Sequence, residues 1–314
     1  MKQRIAITGA TGFVGRNVIP AIATAGYDVI SLSRNPGMDS ARQYDFNMPV
    51  EQLRLALKGC GSVIHLAARV HVMGERDAKD AMAANMVANC IAAQNLAIAA
   101  AEEGVRQFIF LSTAKVYGEE SHEAPFVVGM PEAPQGPYAN SKLKAEQALR
   151  ELTTGNGLSL AIIRPPLIHG LGVKANLAQL ARLARLPIPL PLGSIQNCRS
   201  LLGAENLASL LCALLARQDK SPLIVNASDG DDVSTTRLVR LLAKAQGQDA
   251  WLLPIPEQVL RGLLRAAGKA SLARRLLNSF QIDIGATQAL LNWKPVLSLA
   301  DGLAQAFNGN GAKK

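Results

Sequence analysis

Residues 4–15 read RIAITGATGFVG, and this stretch decides the fold. The apolar run Arg4–Thr8 predicts a buried strand, and the apolar spacing of Gly12–Ala25 predicts a helix directly after a glycine-rich turn. In such a unit one glycine makes the tight turn, one lets the backbone approach a pyrophosphate, and one lets the helix pack close to the strand. The spacing is G-x-x-G-x-x-G, and its strand–turn–helix context favours a dinucleotide site over a turn that binds nothing.

The rest of the first half alternates short β-rich runs with helical patterns. The further predicted strands are Asp28–Leu32, a short one around Arg42–Tyr44, Ser62–Leu66, Gln107–Leu111 and Leu158–Ile163. The further predicted helices are a short one near Glu51–Lys58, a long alanine-rich one at about Asp80–Glu103, and Pro137–Thr154. Strands that alternate with helices predict an α/β fold with a doubly wound parallel sheet of the Rossmann kind.

This alternation ends after Arg164. Residues 186–191, LPIPLP, suit neither a helix nor a central strand, because proline lacks the N–H that both need. A strand at Leu223–Asn226, a helix capped by Ser234 and several short helices follow. We therefore expect a smaller substrate-binding lobe that is intertwined with a cofactor-binding domain. The expected boundaries are 1–165 for the Rossmann domain, with segments at about 195–222 returning to it, and 166–314 for most of the lobe.

The composition is that of an ordinary globular protein, with 314 residues of which 49% are apolar and 18% charged. No apolar stretch approaches the length that crosses a bilayer, and the N-terminus lacks the pattern of a signal peptide. We therefore expect a cytoplasmic protein without a transmembrane segment. The four cysteines form no C-x-x-C pair and the four histidines are scattered, so we expect free thiols and no metal site.

Positive charge is concentrated in the second half of the chain. Residues 151–314 carry 18 basic and 10 acidic side chains, whereas residues 1–150 carry 15 and 14. Such an excess suits a nucleic acid, a membrane surface or an anionic small molecule. Aromatic residues make up only 4% of the chain and do not alternate with basic ones, so we expect no nucleic-acid partner.

The end of the second predicted strand indicates which dinucleotide binds. An acidic residue there holds the ribose 2′-hydroxyl of NAD, whereas an arginine accommodates the 2′-phosphate of NADP. This strand runs into Ser33 and Arg34 without an acid, which favours NADP(H) and leaves NAD(H) open. The alternative is that Arg34 is a solvated surface residue. Asp45 and Phe46, after the third strand, are candidates for the adenine site, and equally for a turn and a core aromatic.

Tyr138 and Lys142 are spaced i and i+4 in a predicted helix, which places both side chains on one face. A free phenol titrates near pH ~10, too high for acid–base work at neutral pH, and a neighbouring ammonium lowers that pKa. The alternative is a surface pair, because this spacing also arises by chance. The pattern favours a catalytic pair when it lies beside a cofactor site.

Polar residues also follow two predicted strands. Ser112 and Thr113 come directly after the strand Gln107–Leu111, and the next strand runs into Arg164-Pro165-Pro166. Ligands of parallel sheets bind at the carboxyl ends of the strands. We therefore expect the two strand ends to lie at the edge that holds the site.

In these segments the sequence resembles the extended short-chain dehydrogenase/reductases, within the UDP-glucose 4-epimerase-like group. The matching segments span the first half of the chain, at Thr8–Gly15, Ile64–Ala68, Leu111–Gly118, Tyr138–Lys142 and Ile162–Pro165. A weaker match continues to Leu291-Asn292-Trp293. Together the motifs are specific for the family but not for one substrate.

The resemblance implies roles for individual residues. Thr113 would hydrogen-bond the substrate oxygen, Tyr138 would act as general acid or base, and Lys142 would activate it. Asn176 and Arg199 would hold the pyrophosphate of a UDP-sugar substrate, with surface positions as the alternative for both. The implied cofactor-binding residues are Gly9, Thr11, Gly12, Phe13, Val14, Gly15, Ser33, Arg34, Asp45, Phe46, Leu66, Ala67, Ala68, Tyr138, Lys142 and Pro165.

The match departs from the epimerases at two positions. They usually carry an acid where this chain has Ser33, and an asparagine where it has Leu167. Residues 67–73, together with Gly172–Asn176, look more like a subgroup from bacterial surface-polysaccharide pathways. Members of that subgroup reduce the 4-keto group of UDP-linked 6-deoxy-N-acetylhexosamines. The resemblance therefore implies NAD(P)-dependent 4-keto reduction of such a sugar in O-antigen or capsule biosynthesis.

Two other functions stay open at this point. A UDP-hexose or UDP-N-acetylhexosamine 4-epimerase would use the same residues and keep NAD bound, and a non-catalytic NADP-binding protein would use none of them for chemistry. Related enzymes also imply a homodimer, in which Asp80–Glu103 and the Tyr138 helix form a four-helix contact. Packing on the sheet within one chain is the alternative for these helices.

One basic segment lies outside all of these motifs. Arg261, Arg265 and Lys269 recur every four residues beside leucines, with Arg274 and Arg275 following. This pattern suits an anionic membrane surface. The more usual alternative is a solvated helix face over a core stripe.

Overall fold

The structure is a computed structural model, and it describes residues 2–34, 41–70, 78–219 and 221–308. The strands are β1 Arg4–Thr8, β2 Asp28–Ser33, β3 Ala41–Gln43, β4 Ser62–His65, β5 Gln107–Leu111, β6 Ser159–Arg164, β7 Leu167–His169, β8 Leu201–Gly203 and β9 Leu223–Asn226. Seven of them form one sheet in the order β3-β2-β1-β4-β5-β6-β9, and every neighbouring pair is parallel. The predicted doubly wound parallel sheet is confirmed.

The helices connect and cover these strands. They are α1 Phe13–Thr24, α2 Val50–Leu57, α3 Ala78–Asn85, α4 Ala92–Glu102, α5 Gly136–Thr153, α6 Ala175–Ala184, α7 Ala204–Ala216, α8 Thr235–Lys244, α9 Glu257–Ala266, α10 Ala270–Leu277, α11 Gly285–Leu291 and α12 Leu299–Asn308. A π-helical segment, Met86–Ile91, joins α3 to α4, and a 3₁₀ turn, Ala114–Val116, follows β5.

Both faces of the sheet are covered by helices. On one face, Leu53 of α2, Leu96 of α4 and Leu149 of α5 share a buried cluster with strand residues. On the other face, Val18 of α1 and Leu211 of α7 belong to a second cluster. Because both faces are buried, the central strands are apolar on both sides, as parallel sheets require.

The C-terminal half leaves this sheet and returns to it. A third core contains side chains of α6, α8, α9, α10 and α12, while α7 packs on α1 and β9 joins the main sheet as its last strand. β7 and β8 form a separate parallel pair that the sequence did not predict. Each has only three residues, which is too few to show a period of two. The expected division at residue 165 stays a prediction.

Several smaller predictions from the sequence can be compared directly with the structure. The predicted bounds of β1, β5 and β9 are confirmed, and the helix expected at Asp80–Glu103 contains the π-helical segment. All four cysteines are free thiols. The segment His71–Met73, part of the family resemblance, lies outside the described residues.

Among the described residues, one helix, Lys79–Glu102, has the length and the apolar composition to cross a membrane, and half of it is buried in the protein. That finding conflicts with the expectation that no apolar stretch approaches this length. The expected absence of a transmembrane segment stays a prediction. Within the described ranges no cluster of three histidine, cysteine or acidic side chains is arranged to hold a metal ion.

Candidate active site

Two glycines where β1 meets α1, one in the turn and one in the first turn of the helix, leave no room for a side chain. Gly9 has a φ of +70°, and a Cβ there would lie 2.8 Å from the backbone nitrogen of Ala67. A Cβ at Gly15 would lie 2.4 Å from the carbonyl oxygen of Gly9. The first helical turn is therefore pressed against the end of β1, the close approach that the glycine spacing predicts.

The N-terminus of α1 is open to an anion. Gly12 caps this helix without a side-chain hydrogen bond, and both Thr11 and Gly12 are exposed. The first N–H groups of a helix lack partners within it, and its dipole favours negative charge there. With no Cβ at Gly12 to stand in the way, this cradle fits the pyrophosphate of a dinucleotide, and Phe13 and Val14 would supply N–H donors.

The loop after β4 is fastened to this turn by hydrogen bonds. The hydroxyl of Thr8 lies 2.7 Å from Nδ1 of His65 and accepts a hydrogen bond of 3.2 Å from the N–H of Ala67. Burial lowers the pKa of His65 to about 3, with a smaller effect of Lys142, so the imidazole is neutral. This arrangement places Leu66 and Ala67 against Gly9, and Ala68 follows them. Their contact with the cofactor stays a prediction.

The end of β2 carries no carboxylate. Ser33 is buried and its carbonyl accepts from the N–H of Tyr44, while Arg34 is exposed. Asp45 accepts a hydrogen bond of 3.1 Å from the N–H of Asn47. Phe46 packs edge-to-face on Tyr44. Asp45 and Phe46 thus serve as a turn residue and a packed aromatic here, and their contact with adenine stays a prediction.

Tyr138 and Lys142 lie one turn apart on α5, which begins with Pro137 in its first turn. Tyr138 is half-buried, and Lys142 is only 1% exposed, with Nζ 4.0 Å from the centroid of the Phe110 ring. Burial lowers the pKa of Lys142 to about 7, and the nearby carboxylate of Glu146 partly opposes that shift. The ammonium of Lys142 therefore loses its proton close to neutral pH.

Burial also raises the pKa of Tyr138, to about 12. The expectation that this pKa is lowered is wrong for the ligand-free protein, because desolvation of the phenolate raises it. The phenol consequently holds its proton at neutral pH. The role of Tyr138 as acid or base stays a prediction.

The ends of β5 and β6 lie side by side, as the sequence predicts. Leu111 pairs with Ile163, and beyond them the N–H of Ala114 donates to the carbonyl of Pro165 at 2.8 Å. Thr113 precedes the 3₁₀ turn and is 8% exposed. Its hydroxyl accepts a hydrogen bond of 3.3 Å from the N–H of Lys115, which orients the side chain at this edge of the sheet.

Sequence reasoning missed a buried ionic network beneath this edge. Glu146, one turn beyond Lys142, binds Arg164 of β6 through contacts of 2.6–3.2 Å, and the hydroxyl of Ser112 also donates to it. Arg164 reaches Glu132 at 2.8 Å and lies over the ring of Tyr117. Two features of the sequence could have revealed this network: Glu146 follows Lys142 by four residues, and Arg164 stands at the end of a predicted strand.

A second missed residue is Asn89, in the π-helical segment. Its amide oxygen accepts from the N–H of Arg69 at 2.7 Å, and its nitrogen donates to the carbonyl of Arg69 and to the hydroxyl of Ser141. Asn89 is fully buried, so these bonds fix the loop after β4 against α5. The signal was a pair of asparagines, Asn85 and Asn89, on one face of an alanine-rich helix.

The two candidate substrate residues contact α10 and the residue that follows it. Asn176, exposed at the start of α6, accepts a hydrogen bond of 3.0 Å from Arg275. Arg199 is half-buried and donates to the carbonyl of Asn278 at 2.9 Å. Burial lowers the pKa of the Arg199 guanidinium. Their contact with a substrate stays a prediction.

Comparison with known proteins agrees with this geometry. Residues 5–228 match the NAD dependent epimerase/dehydratase family. The chain is 36% identical to a UDP-glucose 4-epimerase of Vibrio cholerae over 98% of this chain and 96% of that protein.

Two solved structures share the fold. A UDP-N-acetylglucosamine 4-epimerase from Bacillus cereus superimposes with a TM-score of 0.80 at 23% identity, over 98% of this chain and 99% of that one. A Thermus thermophilus UDP-glucose 4-epimerase complexed with NAD gives 0.76 at 21% identity, over 99% and 100%. At these identities the likeness concerns the fold alone.

The family match covers most of the chain, and the relative at 36% identity extends it over nearly the whole length. The alternative of a non-catalytic binding protein is therefore set aside in favour of an oxidoreductase-type enzyme. This chain belongs to the NAD dependent epimerase/dehydratase family, within the extended short-chain dehydrogenase/reductases.

Proposed function

We propose that this enzyme uses NADPH to reduce the 4-keto group of a UDP-linked 6-deoxy-N-acetylhexosamine. The observation that carries the proposal is the end of β2, where Ser33 and Arg34 stand without a carboxylate. The phenol of Tyr138 would supply the proton that reduction of a ketone needs. The subgroup that the sequence resembles acts in surface-polysaccharide sugar biosynthesis. We propose the same pathway for this chain, and a cytoplasmic location.

The roles of the residues follow from their positions. Bound along the glycine turn, a nicotinamide dinucleotide would supply the hydride. Tyr138 gives its phenolic proton to the oxygen on C4 as negative charge develops there. Thr113 donates a hydrogen bond to the same oxygen, and Lys142 restores the proton to Tyr138. Fixed donors aimed at a developing oxyanion stabilise the transition state more than the ground state.

The cofactor is proposed to lie with its pyrophosphate at Gly12 and its 2′-phosphate at Arg34. The exposed guanidinium of Arg34 is free to form two parallel hydrogen bonds with a phosphate. A family defined by NAD leaves NAD(H) as the alternative. Within this proposal residues 1–165 bind the cofactor and residues 166–314 mainly bind the sugar nucleotide. Asn176 and Arg199 would contact its pyrophosphate.

A second candidate is a UDP-sugar 4-epimerase. It is favoured by the Vibrio cholerae relative, which is named as a UDP-glucose 4-epimerase. An epimerase would use the same Thr113, Tyr138 and Lys142, but C4 would be oxidised first and the hydride would return to the other face. Tyr138 would then begin as the base that takes the proton of the C4 hydroxyl.

Net consumption of cofactor separates the two candidates. The absorbance of NADPH is followed with a UDP-4-keto-6-deoxy-N-acetylhexosamine, with NADH in parallel, and UDP-hexose interconversion is measured without added cofactor. Stoichiometric loss of NADPH supports the reductase. Interconversion of UDP-hexoses with no such loss would leave the epimerase.

We also infer a homodimer formed through the α3–α4 side of the molecule. Met82, Val87 and Ile91 are exposed apolar side chains there, and α5 packs alongside these helices. A four-helix contact between two chains would cover them. Light scattering of the purified protein tests this, with Ile91→Asp expected to give a monomer and Leu55→Asp, on the exposed side of α2, expected to leave the dimer intact.

A further inference from the structure

Helices α9 and α10 form a hairpin on the outside of the C-terminal core. The turn between them contains Gly268, at a φ of +70°, and the two helices pack side by side. Leu260 of α9 and Ala273 and Leu277 of α10 are buried in the third core. The opposite side of the hairpin is therefore directed away from the protein.

The hairpin and the segment before it expose several large apolar side chains. Val259 and Leu263, one turn apart on α9, are 52% and 62% exposed, and Leu272 of α10 is 37% exposed. Trp251, just before α9, is 60% exposed, whereas the chain's other tryptophan, Trp293, is buried. A helix with apolar residues on both its inner and outer sides needs a second apolar environment.

The same segment of the chain is positively charged. From residue 249 to residue 275 the chain carries five cationic and two acidic side chains. One of the acids, Glu257, is already bound to Arg261 at 2.5 Å. Arg265, Lys269 and Arg274 are exposed and form no salt bridge with any residue that the structure describes. We call Trp251, Val259, Leu263 and Leu272 with these three cations the outer face.

We propose that the outer face binds the surface of an anionic phospholipid bilayer. Exposed leucine, valine and tryptophan side chains flanked by unpaired cations are the features of helices that lie in a membrane interface. The cations match the negative headgroups, and the amphipathic indole of Trp251 suits the boundary between headgroups and acyl chains. A protein partner or a second copy would have to supply carboxylates around an apolar patch, whereas an anionic bilayer presents headgroup charge over an apolar interior.

Membrane binding would place the substrate side of the enzyme near the lipid surface. Arg275, next to Arg274 on α10, donates to Asn176, so α10 connects the outer face to one proposed substrate residue. The proposal does not depend on the reaction that the enzyme catalyses. Its failure would leave the proposed function untouched.

The test is co-sedimentation of the full-length protein with vesicles. Vesicles of phosphatidylcholine with phosphatidylglycerol are compared with vesicles of phosphatidylcholine alone, at low and high salt. We expect binding to the anionic vesicles, weakened by salt, together with a blue shift of tryptophan fluorescence. Because Trp293 is already buried, that shift reports Trp251.

Two variants divide the interaction into its parts. Each cation near an anionic surface contributes about fivefold to partitioning, so Arg265→Gln, Lys269→Gln and Arg274→Gln combined should weaken binding roughly 100-fold. Val259→Gln with Leu263→Gln should weaken it at both salt concentrations. Leu55→Gln with Lys58→Gln, on the exposed side of α2, is the matched control and should bind as the unchanged protein does.

Several results would overturn the proposal. They are the absence of sedimentation with anionic vesicles at low salt, equal sedimentation with neutral vesicles, or unchanged binding by the outer-face variants. A change of oligomeric state on substituting Val259 and Leu263 without vesicles would also overturn it, because the outer face would then be an interface between copies of the chain. Unchanged circular dichroism and NADPH binding show that each variant is folded.

Discussion

The carboxylate of Glu146 and the guanidinium of Arg164 meet at 2.6 Å inside the protein, with both side chains 2% exposed. Glu146 belongs to α5, which carries Tyr138 and Lys142, and Arg164 ends β6. The ion pair therefore fastens the helix that carries the proposed catalytic pair to the sheet edge where the substrate would bind. It also holds a negative charge one helical turn from Lys142.

Removal of this carboxylate should be costly for stability. Glu146→Ala leaves Arg164 buried without its main counter-charge, and breaking a buried pair from one side costs about 3–5 kcal/mol in the free energy of unfolding. Urea denaturation measures the loss. Asp28→Asn, which breaks the exposed Arg4–Asp28 pair at 2.8 Å, is the matched control and should cost less than about 1 kcal/mol. Equal losses would contradict the role given to Glu146.

Glu146 should also set the pH dependence of the reaction. Lys142 titrates at about 7 in the free enzyme, and Glu146 raises that pKa. Because the protonated lysine restores the proton of Tyr138, kcat/KM for reduction should fall as pH rises through about 7. Glu146→Gln removes the opposing charge, so the fall should begin at lower pH, with about tenfold lost above it for each unit of displacement.

Glu132→Gln is the control for that experiment. Glu132 binds the same Arg164 at 2.8 Å but is not among the groups that shift the pKa of Lys142. In Glu132→Gln, kcat/KM should fall at the same pH as in the unchanged enzyme. A purely structural role for Glu146 would lower kcat/KM at every pH without moving the fall, and that result would exclude the electrostatic role.

The strand, turn and helix of the cofactor site were predictable because their signals are local. The glycines of residues 9–15 and the spacing of Tyr138 and Lys142 lie within single elements. The partners of Glu146 and Asn89 were not predictable, because each bond joins segments far apart in the chain, such as Asn89 to Ser141. The predicted direction of the Tyr138 pKa shift was wrong for a related reason. The spacing shows that a cation is nearby, but it does not show the burial that raises the pKa.

Arg34 should determine the preference between the two dinucleotides. Arg34→Ala removes the proposed partner of the 2′-phosphate, and a hydrogen bond to a charged group is worth about 1.5–3 kcal/mol, or roughly 10- to 100-fold in the Kd for NADPH. The Kd for NADH should stay within about twofold. Lys58→Ala, which removes an exposed cation directly after α2, should change neither value. Isothermal titration calorimetry measures the Kd values of both variants for NADPH and for NADH, against those of the unchanged protein.

Gly15 should tolerate no side chain. In Gly15→Ala the new Cβ would lie 2.4 Å from the carbonyl oxygen of Gly9, so α1 must move away from the pyrophosphate cradle. We expect a lower Tm and loss of detectable NADPH binding. Gly262→Ala is the matched control, because nothing lies within 4 Å of its added Cβ in α9. A helical glycine replaced by alanine should gain about 0.5–1 kcal/mol. Normal NADPH binding by Gly15→Ala would contradict the cradle.

Transfer of a labelled hydride tests the central claim most directly. NADPH carrying deuterium at the transferable C4 position of the nicotinamide is incubated with the enzyme and a UDP-4-keto-6-deoxy-N-acetylhexosamine, with Tyr138→Phe in parallel. Mass spectrometry and proton NMR then locate the label in the sugar. The proposed reductase predicts one deuterium at C4 of the product, formed at least about 100-fold more slowly by Tyr138→Phe, since general acid catalysis contributes about 10²–10⁴-fold. A sugar product without deuterium, or full activity of Tyr138→Phe, would contradict it.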